Sequence, residues 1–557
     1  MMRLVLVKVV MNKANTRVKG YILKDELGKQ KLFTSSAVKD LLYKGIRVKG
    51  MRLGRDGRLL REVAYRKREI ASTKNLLIYS GNRLLERCKA QSSGFKKRDF
   101  VEKVVRFSLD GSVTNRIMLL HGLRRTGKTT AIHHAIMELI NRQVSIISNI
   151  CLIEVINNST TFNEIYSILL RISKHLESAI VFIDEITNVV DLIPNFSKLS
   201  DQLYNLKIIV SGTDSYVFST ASKTTLFGRC LSIHTTLLSY NEYRKLVADS
   251  SLNSYITDGS LSGQEFFGNN HAVDAVNSAI IGNINSTILR NYSFFNTDKH
   301  FDYSWLTKLS QQELSVITYS ILSSAVEHRS NKNLVSIIRV IGKKRAEFIG
   351  EAVGIGSNEI PKKLNGINNF TINNMIKLIS ELDVIRQLNN LATMLCSDEQ
   401  LNNGYKAETD KEVCILLPGL LSTLINSLNV QQSTIIGKEI ENLVIISLYC
   451  IEGYKGFKVD TVGYLKYKVK EVEHEVDIVV KVFDSNHIPH YTLIEVKANS
   501  NQSTTFIKHL ITPDLPEGLR DKGVVRVVVY EGKTDMSGYI KYINIEDFIL
   551  NPWLYII

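Results

Sequence analysis

Gly122-Leu-Arg-Arg-Thr-Gly127-Lys128-Thr129 decides the reading of this 557-residue chain. It fits the pattern GxxxxGK(S/T), and its setting suits the chemistry of that pattern. Ile117-Met-Leu-Leu120 before it reads as a short buried strand, and Ile132, Ile136 and Leu139 after it recur at helical spacing. A glycine loop between strand and helix lets backbone N–H groups and the helix N-terminus wrap a polyphosphate. Lys128 is placed to reach the β- and γ-phosphates, and Thr129 to ligate Mg²⁺. Gly122, Arg125, Thr126, Gly127 and Thr130 complete the expected phosphate-binding set. ATP with Mg²⁺ is the expected cofactor.

Downstream, Ile180-Val-Phe-Ile183 runs into Asp184-Glu185, an apolar strand ending in two carboxylates. Asp184 is expected to hold Mg²⁺, directly or through water. Glu185 is expected to orient and polarise the attacking water. Lys207-Ile-Ile-Val210 is another buried strand, ending at Ser211-Gly-Thr213. Ser211 and Thr213 are candidates to sense the γ-phosphate, against the plain alternative of a strand-to-loop turn. Arg229 precedes the β-like run 231–237. It either reaches a neighbouring subunit's nucleotide or holds an interface within one chain.

Composition sets the outer limits. Hydrophobic content of 44% and charged content of 22% suit globular domains, and the length suits three or four of them. No apolar run approaches the roughly 18 residues that span a bilayer. The first residues lack a signal-peptide apolar block. Cys88, Cys151, Cys230, Cys396, Cys414 and Cys450 are scattered, with no CxxC pair. They read as reduced thiols of a cytoplasmic protein. Residues 1–100 hold 26 Lys+Arg and 8 Asp+Glu, a balance of +18, whereas the rest holds 44 and 47, a balance of −3. The basic surplus therefore belongs to the N-terminal fifth and points to a polyanion partner there. A solvated basic surface, or a docking site for a protein, is the alternative.

The expected fold class is α/β multidomain, laid out in six segments. Residues 1–70 read as a small basic β-rich module, with strands at Leu4–Val10 and Val18–Leu23 and a turn at Asp56-Gly57. Residues 71–100 read as a basic helical connector ending in Lys96-Lys97-Arg98. Residues 101–245 alternate strands and helices, as a parallel sheet with helices on both faces does. Thr161-x-x-Glu164 is a capping box that opens one of those helices. Residues 246–345 read as a helical lid with a polar stretch at 249–270. Residues 346–405 resemble a helix-turn-helix or winged-helix unit, whose helix from Thr371 buries Ile372, Met375, Ile376, Ile379 and Leu382. That helix offers Asn373, Asn374 and Lys377 to DNA, unless the unit serves only for packing. Residues 406–557 return to a mixed α/β pattern.

The motifs together resemble a known family. Gly-x-Arg-Arg-x-Gly-Lys-Thr-Thr, Phe-Ile-Asp-Glu, Val-Ser-Gly-Thr, and Phe-Gly-Arg followed by Leu238-Ser-Tyr-Asn-Glu-Tyr243 look like prokaryotic AAA+-type ATPases of the archaeal-ATPase and AAA_14 kind. These are related to Orc/Cdc6 and STAND proteins. Thr236-Leu-Leu departs from the proline often found before the Leu-Ser segment. The resemblance covers roughly residues 95–535. It implies an AAA+ core, a winged helix and a restriction-endonuclease-like C-terminal domain. It also implies a homo-oligomer, DNA ahead of RNA as nucleic-acid partner, and a setting in genome defence or mobile-element biology.

The C-terminal segment carries its own constellation. Asp477 lies on the strand Glu475-Val-Asp-Ile-Val-Val480. Glu495-Val-Lys497 ends the next strand. Asp…Glu-x-Lys on adjacent strands resembles the PD-(D/E)XK nuclease core. There two carboxylates hold Mg²⁺ or Mn²⁺ beside a scissile phosphate, and the lysine positions water or stabilises charge. Glu441, on a helix-like stretch upstream, is the expected third carboxylate, and Gln502 an accessory group. The competing expectation is a retained fold whose salt-bridge cluster binds without cleaving.

Overall fold

The computed structural model describes residues 4–11, 18–24, 30–33, 48–49, 51–53, 59–61, 74–110, 116–123, 126–142, 144–157, 159–189, 191–213, 218, 221–222, 225–235, 238–247, 251–258, 281, 306–327, 334–402, 405–407, 411–428, 432–451, 457–499, 502, 507–520 and 523–557. These fall into two compact units, residues 1–73 and 74–557.

In the first unit, β1 (Leu4–Met11) pairs antiparallel with β2 (Val18–Lys24), and β2 with β3 (Gln30–Phe33). β4 (Val48–Lys49) joins β1 in parallel. β5 (Met51–Leu53) and β6 (Leu59–Arg61) form a separate antiparallel pair. The first two strands stand where the sequence reading put them, each one residue longer. Asp56-Gly57 lies outside the described residues.

The second unit begins with a six-stranded sheet. Its strands are β7 (Leu76–Ser80), β8 (Ile117–His121), β9 (Ile150–Val155), β10 (Ala179–Asp184), β11 (Leu206–Gly212) and β12 (Cys230–His234). Their order is β12-β8-β11-β10-β9-β7. Neighbours are parallel except β7, which runs antiparallel to β9. β8, β9 and β10 are buried along their whole length, as uninterrupted apolar runs in a parallel sheet must be. β11 lies between the strand feeding the glycine loop and the strand ending in Asp184. That placement brings Ser211 to the carboxylates.

Helices α1 (Gly81–Ser92), α2 (Val101–Leu109) and α3 (Lys128–Arg142) share one core with this sheet. Leu84, Cys88, Val101, Val104 and Val105 pack with Met118, Leu120, Ile132, Ile136 and Phe182. Of residues 71–100, expected as a connector, the described part 74–100 belongs to the layer: it supplies the edge strand and a packed helix. The error has a physical source. Only Leu84 and Cys88 are buried on α1, so its basic surface masks a thin apolar seam. α4 (Phe162–His175) starts with the expected capping box, Thr161 and Glu164 bonding each other's backbone N–H. α5 (Leu192–Gln202) precedes β11.

Beyond β12 come α6 (Tyr240–Leu246) and α7 (Leu252–Asp258). Most of the polar stretch 249–270 lies outside the described residues. α8 (Gln311–Glu327), α9 (Leu334–Lys344), α10 (Ala346–Val353), α11 (Glu359–Gly366) and α12 (Asn369–Glu381) follow. α12 buries Ile372, Met375, Ile376 and Ile379 as expected. It starts earlier than Thr371, because Asn368 caps it by accepting the Thr371 N–H at 2.8 Å.

An eight-stranded mixed sheet closes the unit. It contains β13 (Ile385–Asn390), β14 (Tyr405–Ala407), β15 (Lys411–Ile415), β16 (Lys458–Val469), β17 (Val472–Phe483), β18 (Pro489–Lys497), β19 (Val525–Tyr530) and β20 (Lys541–Asn544). β16, β17 and β18 are antiparallel, whereas β18, β19 and β20 are parallel. β13 pairs with both β15 and β16, so this sheet starts before residue 406. α13 (Pro418–Ser427), α14 (Gln432–Cys450) and α15 (Ile545–Leu550) accompany it. Its core takes in Leu238, Tyr240, Tyr243 and Tyr255 beside Val444, Ile478, Ile494, Val527 and Phe548. Among the described residues no helix is long and apolar enough to cross a membrane.

Candidate functional site

The loop 122–127 joins β8 to α3. Gly127 has φ +82°, a left-handed conformation that suits glycine. Lys128, the first residue of α3, is 5% exposed and donates to the carbonyls of Gly122 at 2.9 Å and Leu123 at 2.7 Å. Thr129 Oγ1 donates to Asp184 Oδ2 at 2.8 Å, and Ser211 Oγ donates to Asp184 Oδ1. The β10–β11 register, with Ile183 opposite Val210, brings Ser211 to this place. Burial pushes the Asp184 carboxyl upward, while the two hydroxyls pull it down. A hydroxyl and a carboxylate oxygen converging at a helix N-terminus beside a lysine are a hard-oxygen donor set that fits Mg²⁺. Thr129 and Asp184 would hold the ion, and Lys128 with the start of α3 the phosphates.

Glu185 follows with φ +59°, left-handed although it is not glycine. Its N–H donates to Ser211 Oγ at 3.1 Å. Its Oε1 accepts from Thr187 Oγ1 and Thr213 Oγ1, both at 2.9 Å. Gly212 makes room for this: a Cβ there would lie 2.5 Å from Thr187 Cγ2 and 2.7 Å from Phe218 Cε2. The structure thus brings Lys128, Thr129, Asp184, Glu185, Ser211 and Thr213 together.

Other expected residues fall elsewhere. Arg125 lies outside the described residues. Thr130 is half-buried in the first turn of α3. Thr126 turns its side chain into the protein, to Thr235 Oγ1 at 2.7 Å and Leu123 O at 3.0 Å. Arg229 is exposed and pairs with exposed Asp201 at 2.7 Å.

Sequence reasoning missed Arg98, which had appeared only as the end of a basic run. Its guanidinium is buried and bonds Glu242 through Nε and Nη2, each at 2.9 Å. Nη1 donates to the carbonyls of Thr126 and Thr235, each at 2.8 Å. Glu242 had entered only inside the Leu-Ser-Tyr-Asn-Glu-Tyr match. A buried pair 144 positions apart leaves no local signature.

At the second constellation, Lys497 Nζ lies 2.6 Å from Glu495 Oε1 and 3.6 Å from Asp477 Oδ2. The Val496 N–H donates to Asp477 Oδ2 at 2.7 Å. Burial, then the charge of Asp477, raises Glu495 to about 8 against the pull of Lys497. Burial alone would lower Lys497, yet Asp477 and Glu495 outweigh it and the net shift is upward. Glu495 Oε2 is buried without a hydrogen-bond partner. That orphan oxygen, with Asp477 beside it, fits a divalent cation. The expected third carboxylate does not complete the set. Among the described residues no group of three or more His, Cys, Asp and Glu side chains forms a metal site. Glu441 is 5% exposed on α14, which packs on β16 and β18. Gln502 donates to Tyr530 OH at 3.3 Å. On α12, Asn373 and Lys377 are exposed, while Asn374 donates to Phe370 O at 3.0 Å.

Residues 114–244 match the AAA domain family AAA_14. This segment is an α/β P-loop core of the AAA kind. Among solved structures, the Walker-type ATPase PABY2304 of Pyrococcus abyssi is 14% identical, over 58% of this chain and 95% of its own, with a TM-score of 0.32. The Aeropyrum pernix ORC2 protein is 10% identical, over 61% and 98%, with a TM-score of 0.31. Cdc6p from Pyrobaculum aerophilum is 12% identical, over 61% and 98%, with a TM-score of 0.23. No curated protein matches significantly. The AAA domain match and the geometry, not these distant likenesses, carry the reading that follows.

Proposed function

We propose that this chain binds and hydrolyses ATP, engages nucleic acid, and uses its ATP cycle to control a metal-dependent nuclease site at Asp477, Glu495 and Lys497. One observation carries the proposal: Thr129, Asp184 and Ser211 converge at the start of α3, with Glu185 held beside them. Lys128 neutralises phosphate charge. Glu185 orients a water for in-line attack on the γ-phosphorus and accepts its proton as ADP leaves. Thr129 and Asp184 would hold Mg²⁺, which would supply charge stabilisation there. Ser211 and Thr213 hold Asp184 and Glu185 in place and are positioned to report the γ-phosphate. Arg229 acts on a neighbouring copy in a homo-oligomer; its exposure beside Phe227, which is 75% exposed, supports that role.

The +18 balance of residues 1–100 supports nucleic-acid contact there, with DNA ahead of RNA. The domain layout, including a winged helix over 346–405, is part of the same proposal. So are a cytoplasmic location and a role in genome defence or mobile-element biology.

A second reading is a nucleotide-dependent switch whose C-terminal site binds without cleaving. Lys497 pairing with both carboxylates, and the lack of a third ligand among the described residues, favour it. Incubating the protein with DNA or RNA, Mg²⁺ or Mn²⁺, with and without ATP, separates the two. Nucleotide-dependent cleavage supports the first, and binding without cleavage the second. Deleting residues 1–70 should weaken binding and flatten its salt dependence. An unchanged salt slope would make that module a docking surface for protein.

A further inference from the structure

Arg98 joins three parts of the molecule that are far apart in sequence. Its Nη1 holds the Thr126 carbonyl of the phosphate-binding loop and the Thr235 carbonyl at the exit of β12. Its other two nitrogens hold both carboxylate oxygens of Glu242 on α6. Glu242 Oε1 also accepts the Asp99 N–H at 2.9 Å.

The start of α6 shows that this contact replaces a local one. Ser239 caps the helix by accepting the Glu242 N–H at 3.1 Å. A glutamate three residues after such a cap ordinarily turns back to the N-cap N–H. Here Arg98 takes both of its oxygens instead. A planar guanidinium is the side chain that can serve two carbonyls and a carboxylate at once.

The far side of α6 belongs to the other layer. Tyr240 and Tyr243 are buried in the core of the eight-stranded sheet, with residues of α14 and α15. Tyr240 OH donates to Glu546 Oε1 on α15 at 3.1 Å. A second tie runs beside the first. His121, which ends β8, meets His234 edge to face at 3.8 Å, and His234 Nδ1 bonds Asp383 just before β13.

We infer that Arg98 and Glu242 are a positioning pair that couples the phosphate-binding loop to the C-terminal layer, so that nucleotide bound at the loop changes the packing of α6 and α15. The inference rests on the reading of residues 122–129 as a nucleotide site. Hydrogen-bond networks and rigid elements with two arrangements carry such coupling; here the buried Arg98–Glu242 bonds and the half-buried Tyr240–Glu546 bond are joined by the helix α6. α6 carries the link from Arg98 to the distant layer.

Amide hydrogen exchange on the full chain, with and without Mg²⁺ and a non-hydrolysable ATP analogue, tests it. In the parent, exchange should change at the start of α3, and also by about fivefold or more in residues 240–246 and 545–550. In Glu242→Gln the change at α3 should persist and the change at 545–550 should vanish. Arg98→Lys should weaken analogue binding by about tenfold, because an ammonium cannot fill all four contacts. Protection confined to α3 in the parent, or an undiminished distant response in Glu242→Gln, overturns the coupling while leaving the nucleotide site intact. A parent that binds no analogue overturns both. The parental measurement decides even where a variant fails to fold.

Discussion

At the end of β10, Asp184 is held by two hydroxyls, from Thr129 and Ser211, while Lys128 spends its ammonium on loop carbonyls. In the middle of β17 and near the end of β18, Asp477 and Glu495 are held by an ammonium, that of Lys497. Hydroxyl dipoles orient a carboxylate without cancelling its charge. An ammonium cancels it. The first site therefore keeps its demand for a cation, whereas the second meets part of that demand from within, helped by a Glu495 carboxyl raised to about 8. Carboxylates on apolar strands look alike in a sequence. The group facing them decides whether a metal is needed.

The largest test of that contrast lies at the first site. Lys128→Ala should abolish nucleotide binding, and Glu185→Gln should keep binding but lower turnover by about 10²–10⁴-fold. Parental turnover in the Gln variant would remove Glu185 from catalysis. At the second site, Asp477→Ala should abolish any cleavage and leave ATP turnover within about twofold, because remote sites add independently. Lys497→Met should cost about 2 kcal/mol by leaving two carboxylates facing each other, less than a fully buried pair would lose. Millimolar Mg²⁺ should restore the melting temperature of that variant. Failure of the ion to do so would mean that the pair does not bind metal.

The smallest test compares the two layers through their thiols. Burial pushes Cys88 and Cys151, in the six-stranded layer, and Cys414, on β15, up to about 12. Their folded values exceed the ordinary 9.0, so this stability is intact below pH 9 and is lost as pH climbs toward 12. At pH 10 each thiol should cost about 1.4 kcal/mol, read as a lowered denaturation midpoint. At pH 8, Mg²⁺ with ATP should slow alkylation of Cys88 and Cys151 more than that of Cys414. Equal slowing would mean that the two layers open as one.

Residues that act within a local motif were legible from sequence. The glycine loop, the strand into Asp184-Glu185, Ser211 and the Thr161 capping box all depend on neighbours a few positions away or on one apolar run. Asp477, Glu495 and Lys497 were legible because one hairpin joins their strands. For Glu441, helical pattern gave the buried face but not the reach into a sheet. β7 was missed because Leu76–Ser80 is only partly buried and runs straight into a basic helix, whereas β8, equally short, is apolar and buried along its length. Arg98 was missed because its meaning lies in Thr126, Thr235 and Glu242, brought to it only by the finished fold.

The left-handed backbone at Glu185 has an evolutionary side. A non-glycine residue held at φ +59° costs on the order of 1 kcal/mol, which Gly or Asn would largely recover. Selection for stability alone therefore pushes position 185 away from glutamate. Only a benefit from the carboxylate opposes that drift. A lineage in which hydrolysis stopped mattering would find the exchange downhill, gaining robustness as it lost turnover.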